Sequence, residues 1–137
     1  MPDLSLTPSA LLMSPAEQAG LYALSLGFAN GLAMALDSLQ GLPGINILRF
    51  DAFSFYQQVF ANPAAYGFTN ATDACLTGAG MCADPSTYLS WDGFHPTTAA
   101  HAVLGQEFAK AVVPEPGTLL LLGAGLAAAA LHRRRAA

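Results

Sequence analysis

Residues 45–50 are the one stretch of this chain whose composition clearly predicts a β-strand. Ile45, Ile47, Leu48 and Phe50 leave no polar side for solvent, which is typical of a parallel strand that is covered on both faces. A single strand cannot satisfy its own backbone donors and acceptors. The sequence therefore predicts part of a larger α/β domain, whose other strands lie upstream of these 137 residues.

Helical periodicity surrounds the predicted strand, at residues 15–40, 52–61 and 97–112. Ser14 is suited to cap the first helix, because Pro15 can occupy its first position and Glu17 can complete a capping box. Asp51 can cap the second helix in the same way. Residues 1–8 and 63–96, which are rich in proline, glycine and small polar residues, are predicted to be loops. This order predicts a partial three-layer α/β/α sandwich over residues 1–112, lacking its N-terminal strands.

Charge is unevenly distributed along the chain. Eight of the nine acidic residues and two of the five basic residues lie in residues 1–112, so this body has a net charge of −6. An acidic surface has no electrostatic attraction for phosphate backbones. Nucleic acid is therefore not expected as a partner.

The chain contains two cysteines, Cys75 and Cys82, separated by six residues. Gly78 and Gly80 lie between them and let the chain turn tightly, which favours a disulfide in an oxidising compartment. Two unrelated thiols are the alternative. No histidine lies close enough in sequence to complete a tetrahedral shell with the cysteines, so no metal site is expected.

The clearest chemical signal is the Asp-x-x-His motif formed by Asp92 and His95. Gly93 can bend the intervening turn and Pro96 can stiffen its end. The carboxylate can accept a hydrogen bond from one ring nitrogen and leave the other nitrogen as a general base. The bare motif fits equally well a surface loop in which the aspartate caps a turn, so its meaning depends on the surrounding sequence.

That surrounding sequence, Tyr-Leu-Ser-Trp-Asp-Gly-Phe-His-Pro-Thr-Thr-Ala-Ala-His at residues 88–101, closely resembles the last sequence block of SGNH/GDSL-type hydrolases. The resemblance is strongest to their secreted lipase/lecithinase-like branch. Shorter stretches resemble the same branch in the same order, at residues 2–4, 7–8, 28–30, 62–63, 66–70 and 74–76. The resemblance implies a flavodoxin-like topology, with Asp92 as the orienting carboxylate and His95 as the general base of a Ser-His-Asp triad.

The same resemblance implies acyl ester or lipid substrates and no metal or organic cofactor. In that family the nucleophile belongs to a Gly-Asp-Ser block, and no serine of this sequence has that setting. A base without its nucleophile has no covalent route to hydrolysis. We therefore expect a C-terminal fragment of an exported esterase or lipase that is inactive alone. The alternative is a non-catalytic exported surface or extracellular-matrix protein.

Residues 113–137 have a different character from the body. Pro114, Glu115 and Pro116 precede an uncharged apolar run at residues 117–131, and three arginines follow at residues 133–135. An apolar run that ends in a basic cluster predicts a transmembrane helix with a cytoplasmic C-terminus. The arrangement resembles a PEP-CTERM sorting signal, which implies a membrane-bound exosortase as partner. The expected location is the bacterial cell envelope, followed by the surface or the extracellular space.

Overall fold

A computed structural model of the protein describes residues 1–112 and 125–126. The predicted sorting motif at residues 114–116 lies outside the described residues, as do all but two residues of the predicted transmembrane helix at 117–131. The helices of the described part are α1 (Pro8–Leu11), α2 (Pro15–Gln40), α3 (Ala52–Ala61) and α4 (Thr98–Val112). Helices α2, α3 and α4 match the predicted segments to within one residue.

Local side-chain chemistry sets the starts of the two middle helices, as predicted. Ser14 Oγ accepts from the Glu17 backbone N–H at 3.4 Å, and Glu17 Oε2 accepts from the Ser14 backbone N–H at 2.9 Å. These two bonds form the capping box of α2. The Asp51 carboxylate accepts from the Ser54 N–H at 3.1 Å and caps α3. Both caps satisfy N–H groups that have no partner inside the helix.

The prediction of a loop over residues 1–8 was wrong in part. A 3-10 helix spans Leu4–Leu6, and Pro8 begins α1. Proline fits the first position of a helix because the N–H that it lacks would have no intrahelical partner there. The N-terminal segment is therefore ordered and packs against the body.

The predicted strand at residues 45–50 is not formed. This segment has no regular structure between α2 and α3, and Ile45 and Leu48 are 43% and 52% exposed. A strand needs a neighbouring strand for its backbone hydrogen bonds, and none lies beside this segment within residues 1–112. The error therefore concerns pairing, because composition does not say where a partner strand lies.

The prediction of a loop over residues 63–96 was also wrong in part, because the strands of the described residues lie there. They are β1 (Asn70–Ala74), β2 (Leu76–Thr77), β3 (Gly80–Met81) and β4 (Tyr88–Ser90). β1 pairs with β4 in parallel, and β2 pairs with β3 as an antiparallel hairpin. These strands are short and carry many polar residues, so their composition gives a weak signal. The mixture of helices and small sheets agrees with an α/β chain, while the three-layer sandwich stays a prediction.

A small core lies between α3, the β1–β4 pair and α4. Its buried members are Val59, Phe68, Ala71, Leu89 and Ala100. Side chains from α3 and α4 pack around this cluster, as their apolar spacing predicted. The core thus joins β4 to the start of α4, the two elements that flank the Asp-x-x-His turn.

Helix α2 presents most of its apolar side chains to solvent in the described part of the chain. Leu24, Phe28 and Met34 are 70%, 52% and 68% exposed. By length and by its mean hydropathy of 1.4 this helix could cross a membrane, and 6% of its most apolar window is buried. A helix from the core of a larger domain would have the same length and hydropathy, and it would be exposed in this way if its neighbouring elements were absent. The apolar face of α2, which the sequence predicts to pack in a core, is therefore exposed to solvent in the described residues.

Candidate active site

The Asp-x-x-His turn connects β4 to α4 and is held at both ends by the backbone. Ser90 and Pro96 form an antiparallel bridge across its base. Inside that bridge the Trp91 N–H donates to the His95 carbonyl at 2.7 Å. These contacts close residues 90–96 into a compact loop, so the positions of both site residues follow from the end of β4.

Asp92 and His95 are in direct contact on this turn. His95 Nδ1 lies 2.8 Å from Asp92 Oδ2 and 3.0 Å from Oδ1. Asp92 Oδ1 also accepts from the backbone N–H groups of Phe94 and His95, each at 2.8 Å. One carboxylate therefore orients the imidazole and caps the turn, so the capping role and the orienting role coexist.

The electrostatics of the turn determine which ring nitrogen carries the proton. The backbone N–H groups of His95 and Phe94 and the His95 imidazole lower the pKa of Asp92 from 3.8 to about 2, with the His95 N–H contributing most. The carboxylate is thus ionised at neutral pH and can only accept hydrogen bonds. The neutral imidazole must then carry its proton on Nδ1, which leaves Nε2 as the basic nitrogen. The imidazole is 75% exposed, so Nε2 can reach an incoming group.

Thr97 is a residue of this region that the sequence analysis did not single out. Its hydroxyl donates to the Tyr88 carbonyl at 2.7 Å and accepts from the Ala100 N–H at 3.1 Å. Its own N–H donates to the Leu89 carbonyl at 3.0 Å. The side chain is 2% exposed and links the start of α4 to β4. A threonine just before a helical segment is the cap signal that could have identified it.

The two cysteines lie beside the turn and are joined in a disulfide that closes the β2–β3 hairpin. The Cys75 N–H donates to the Ser90 carbonyl at 3.1 Å, and the Leu76 N–H donates to the Trp91 carbonyl. The Cys82 N–H donates to the Cys75 carbonyl at 2.7 Å. The disulfide loop is therefore hydrogen-bonded to the residues that lead directly into the Asp-x-x-His turn.

An apolar cavity of about 100 Å³ adjoins the turn. Phe94 and Pro96 of the turn line this cavity, and so do Leu4, Phe55, Val59 and Leu104. Within residues 1–112 and 125–126, no three His, Cys, Asp or Glu side chains converge where a metal ion could be held. What the site offers chemically is a fixed acid–base pair next to an apolar recess.

Comparison with known proteins gives two findings for different parts of the chain. Residues 112–135 match the family model of the PEP-CTERM protein-sorting motif. The C-terminus carries a protein-sorting motif. This finding confirms the resemblance of the tail to a PEP-CTERM sorting signal, whereas its transmembrane helix stays a prediction.

The second finding is similarity to GDSL esterase/lipases of Arabidopsis thaliana. One is 33% identical over 78 residues, which are 48% of this chain and 22% of the relative. Another is 35% identical over 68 residues, which are 41% of this chain and 19% of the relative. A third is 30% identical over 122 residues, which are 76% of this chain and 34% of the relative. The chain therefore spans about a fifth to a third of the length of the curated relatives it matches.

Proposed function

We propose that residues 1–112 supply the Asp-His part of a Ser-His-Asp ester hydrolase that is exported and acts on acyl esters or lipids. The observation that carries the proposal is the Asp92–His95 pair, in which the carboxylate holds Nδ1 and the imidazole is largely exposed. Similarity to GDSL esterase/lipases supports the same chemistry. The apolar cavity beside the turn supports a substrate with an apolar part.

In this proposal His95 is the general base. Nε2 takes the proton from a serine hydroxyl as that oxygen attacks the ester carbonyl, and later returns the proton to the leaving alcohol. Asp92 keeps the imidazole in the required tautomer and stabilises the imidazolium that forms. No serine of this sequence lies in a Gly-Asp-Ser block, so we assign the nucleophile to polypeptide outside these residues.

The uncovered surfaces of the body fit such a completion. Residues 45–50 are apolar and have no regular structure, and α2 exposes its apolar stripe. Parallel strands placed beside residues 45–50 would satisfy that backbone and cover α2. The relatives are three to five times longer than the matched part, which leaves enough chain for those strands.

The tail, residues 113–137, bears on where the protein is located. We propose that residues 113–137 direct the protein to the cell envelope of a bacterium, where the apolar run at 117–131 anchors it in the membrane. An exosortase-type enzyme then processes it near Pro114, Glu115 and Pro116. The body at residues 1–112 would lie on the outer side, where the disulfide is stable.

The first test is the activity of the chain alone. The purified full chain is assayed with short p-nitrophenyl esters, beside His95→Ala and His101→Ala variants. His101 is the matched control, because it is an exposed histidine of α4. We expect no turnover above background for any of the three. Turnover that disappears in His95→Ala and persists in His101→Ala would show that a serine of this chain is the nucleophile.

The second test supplies the nucleophile. Residues 1–112 replace the corresponding C-terminal segment of a GDSL esterase, and hydrolysis is measured for the chimera with the same two histidine variants. The proposal expects activity that falls by on the order of 10³-fold or more in His95→Ala and is unchanged in His101→Ala. A folded chimera whose activity is the same with and without His95→Ala would favour the rival function, a non-catalytic exported surface or matrix protein.

A further inference from the structure

Gly93 lies between the two site residues and touches the N-terminal segment. The Ser9 backbone N–H donates to the Gly93 carbonyl at 3.0 Å. A Cβ atom placed on Gly93 would lie less than 3.0 Å from Ser9 Oγ, a separation that real Cβ atoms essentially never show. Helix α1 therefore packs directly on the backbone of the Asp-x-x-His turn.

The need for glycine here comes from space and not from backbone conformation. The glycines with positive φ in the described part of the chain are Gly44, Gly67 and Gly80. Gly93 is not among them, so an L-residue could adopt its backbone angles. At each of the other described glycines an added Cβ would meet nothing within 4 Å. Close approach to Ser9 is thus what distinguishes Gly93.

The segment that carries Ser9 is held firmly. Asp3 is 1% exposed, and its carboxylate accepts from the Ser5 N–H at 3.0 Å and from Gln57 Nε2 of α3 at 2.9 Å. The Leu4 N–H donates to Ser25 Oγ of α2 at 3.1 Å, and Ser25 is fully buried. Helices α2 and α3 therefore fix the position of the N-terminal segment beside the turn.

We infer that Gly93 is a positioning residue, and that its contact with Ser9 holds the Asp92–His95 pair in register with the rest of the body. Gly93 acts through its neighbours and touches no substrate. The inference rests on the proposed function for its catalytic meaning. The geometric claim can be tested separately, because the tautomer of His95 is measurable without any turnover.

The experiment compares four variants of the full chain in detergent micelles: Gly93→Ala, Ser9→Ala, the double variant Ser9→Ala/Gly93→Ala, and Gly105→Ala. Gly105 is the matched control, because it lies in α4 with nothing near an added Cβ. Histidine is labelled with ¹⁵N, and long-range ¹H–¹⁵N correlations give the ratio of Nδ1–H to Nε2–H tautomers. The spectra are recorded at about pH 8.5, where an ordinary imidazole with a pKa of about 6.5 is neutral. His101 in the same spectra is an internal reference.

Wild-type His95 should be mainly in the Nδ1–H form. Gly93→Ala should reduce its Nδ1–H to Nε2–H ratio by on the order of tenfold, as expected when a hydrogen bond to a charged acceptor is loosened. Ser9→Ala alone should leave the ratio unchanged, because the Ser9 N–H is retained. The double variant should restore the ratio, because it removes the hydroxyl that the new methyl group meets. Gly105→Ala should match the wild type.

Two results would overturn the inference. The first is a wild-type tautomer ratio in Gly93→Ala. The second is a double variant that fails to recover, whether it is folded with the wrong ratio or unfolded, because the effect would then not arise at Ser9. If the ratios behave as expected but the chimera described above is inactive, the positioning role stands and the proposed function fails.

Discussion

Removing the disulfide should loosen the strand end that leads into the candidate site. Cys75 and Cys82 are seven positions apart, so the crosslink closes a short loop. The loop-entropy relation gives roughly 2.4 kcal/mol for a loop of this size. Cys75→Ala/Cys82→Ala keeps the small, apolar character of the buried Cys75 position and removes the crosslink. The loss should therefore appear as opening of the hairpin.

The assay is hydrogen exchange at single amides. The Leu76 N–H, which donates to the Trp91 carbonyl, is retained in the variant and reports directly on the edge beside the site. At about 1.4 kcal/mol for each factor of ten, its exchange should accelerate by on the order of 50-fold. The His101 N–H, which donates to the Thr97 carbonyl in α4, should keep its rate. Met81→Ala is the control, because Met81 is an exposed β3 residue next to the crosslink.

Unchanged protection of the Leu76 amide in the double alanine variant would refute this reasoning. It would mean that the backbone hydrogen bonds hold the hairpin without the crosslink. A similar acceleration in Met81→Ala would point to general sensitivity of the hairpin instead. Reduction of the wild-type chain with a thiol should reproduce the variant, because both remove the same constraint.

Three further outcomes are expected. The lowered pKa of Asp92 gives stability that is present above its unfolded pKa of 3.8 and is lost as pH falls through about 2. Solvent screening limits this contribution to roughly 1 kcal/mol, which an acid titration of the turn amides would measure. Thr97→Val should destabilise the start of α4 by about 1–2 kcal/mol in thermal melts, while Thr98→Val at the neighbouring exposed position should not. In a host with an exosortase, Glu115→Ala or deletion of residues 133–135 should leave the exported protein unprocessed, and normal processing of both would contradict the sorting role.

Features whose causes are local could be predicted from the sequence. The capping box at Ser14 and the cap at Asp51 depend on residues within one helical turn, and the starts of α2 and α3 follow from them. The contact between Asp92 and His95 also spans three positions. In each of these cases, the residue types and their spacing are enough to predict the hydrogen bonds that form.

Features that depend on distant partners could not be predicted. Residues 45–50 have the composition of a strand, but a strand forms only where another strand pairs with it. The β1–β4 pair was missed for the opposite reason, because its short polar strands are defined by each other and not by their residues. The contact between Ser9 and Gly93 joins positions that no local pattern connects.

The Asp-x-x-His turn combines contacts of very different sequence separation. Every hydrogen bond to the Asp92 carboxylate comes from a residue no more than three positions away, so the pair can assemble without closing a long loop. The contact between Ser9 and Gly93 can form only after two segments more than eighty positions apart in the sequence have come together. During folding, the imidazole should therefore acquire its tautomer early, and its position relative to the rest of the body should be fixed late. A turn of this kind is transferable between proteins as a unit, whereas its alignment with a nucleophile has to be established anew in each fold.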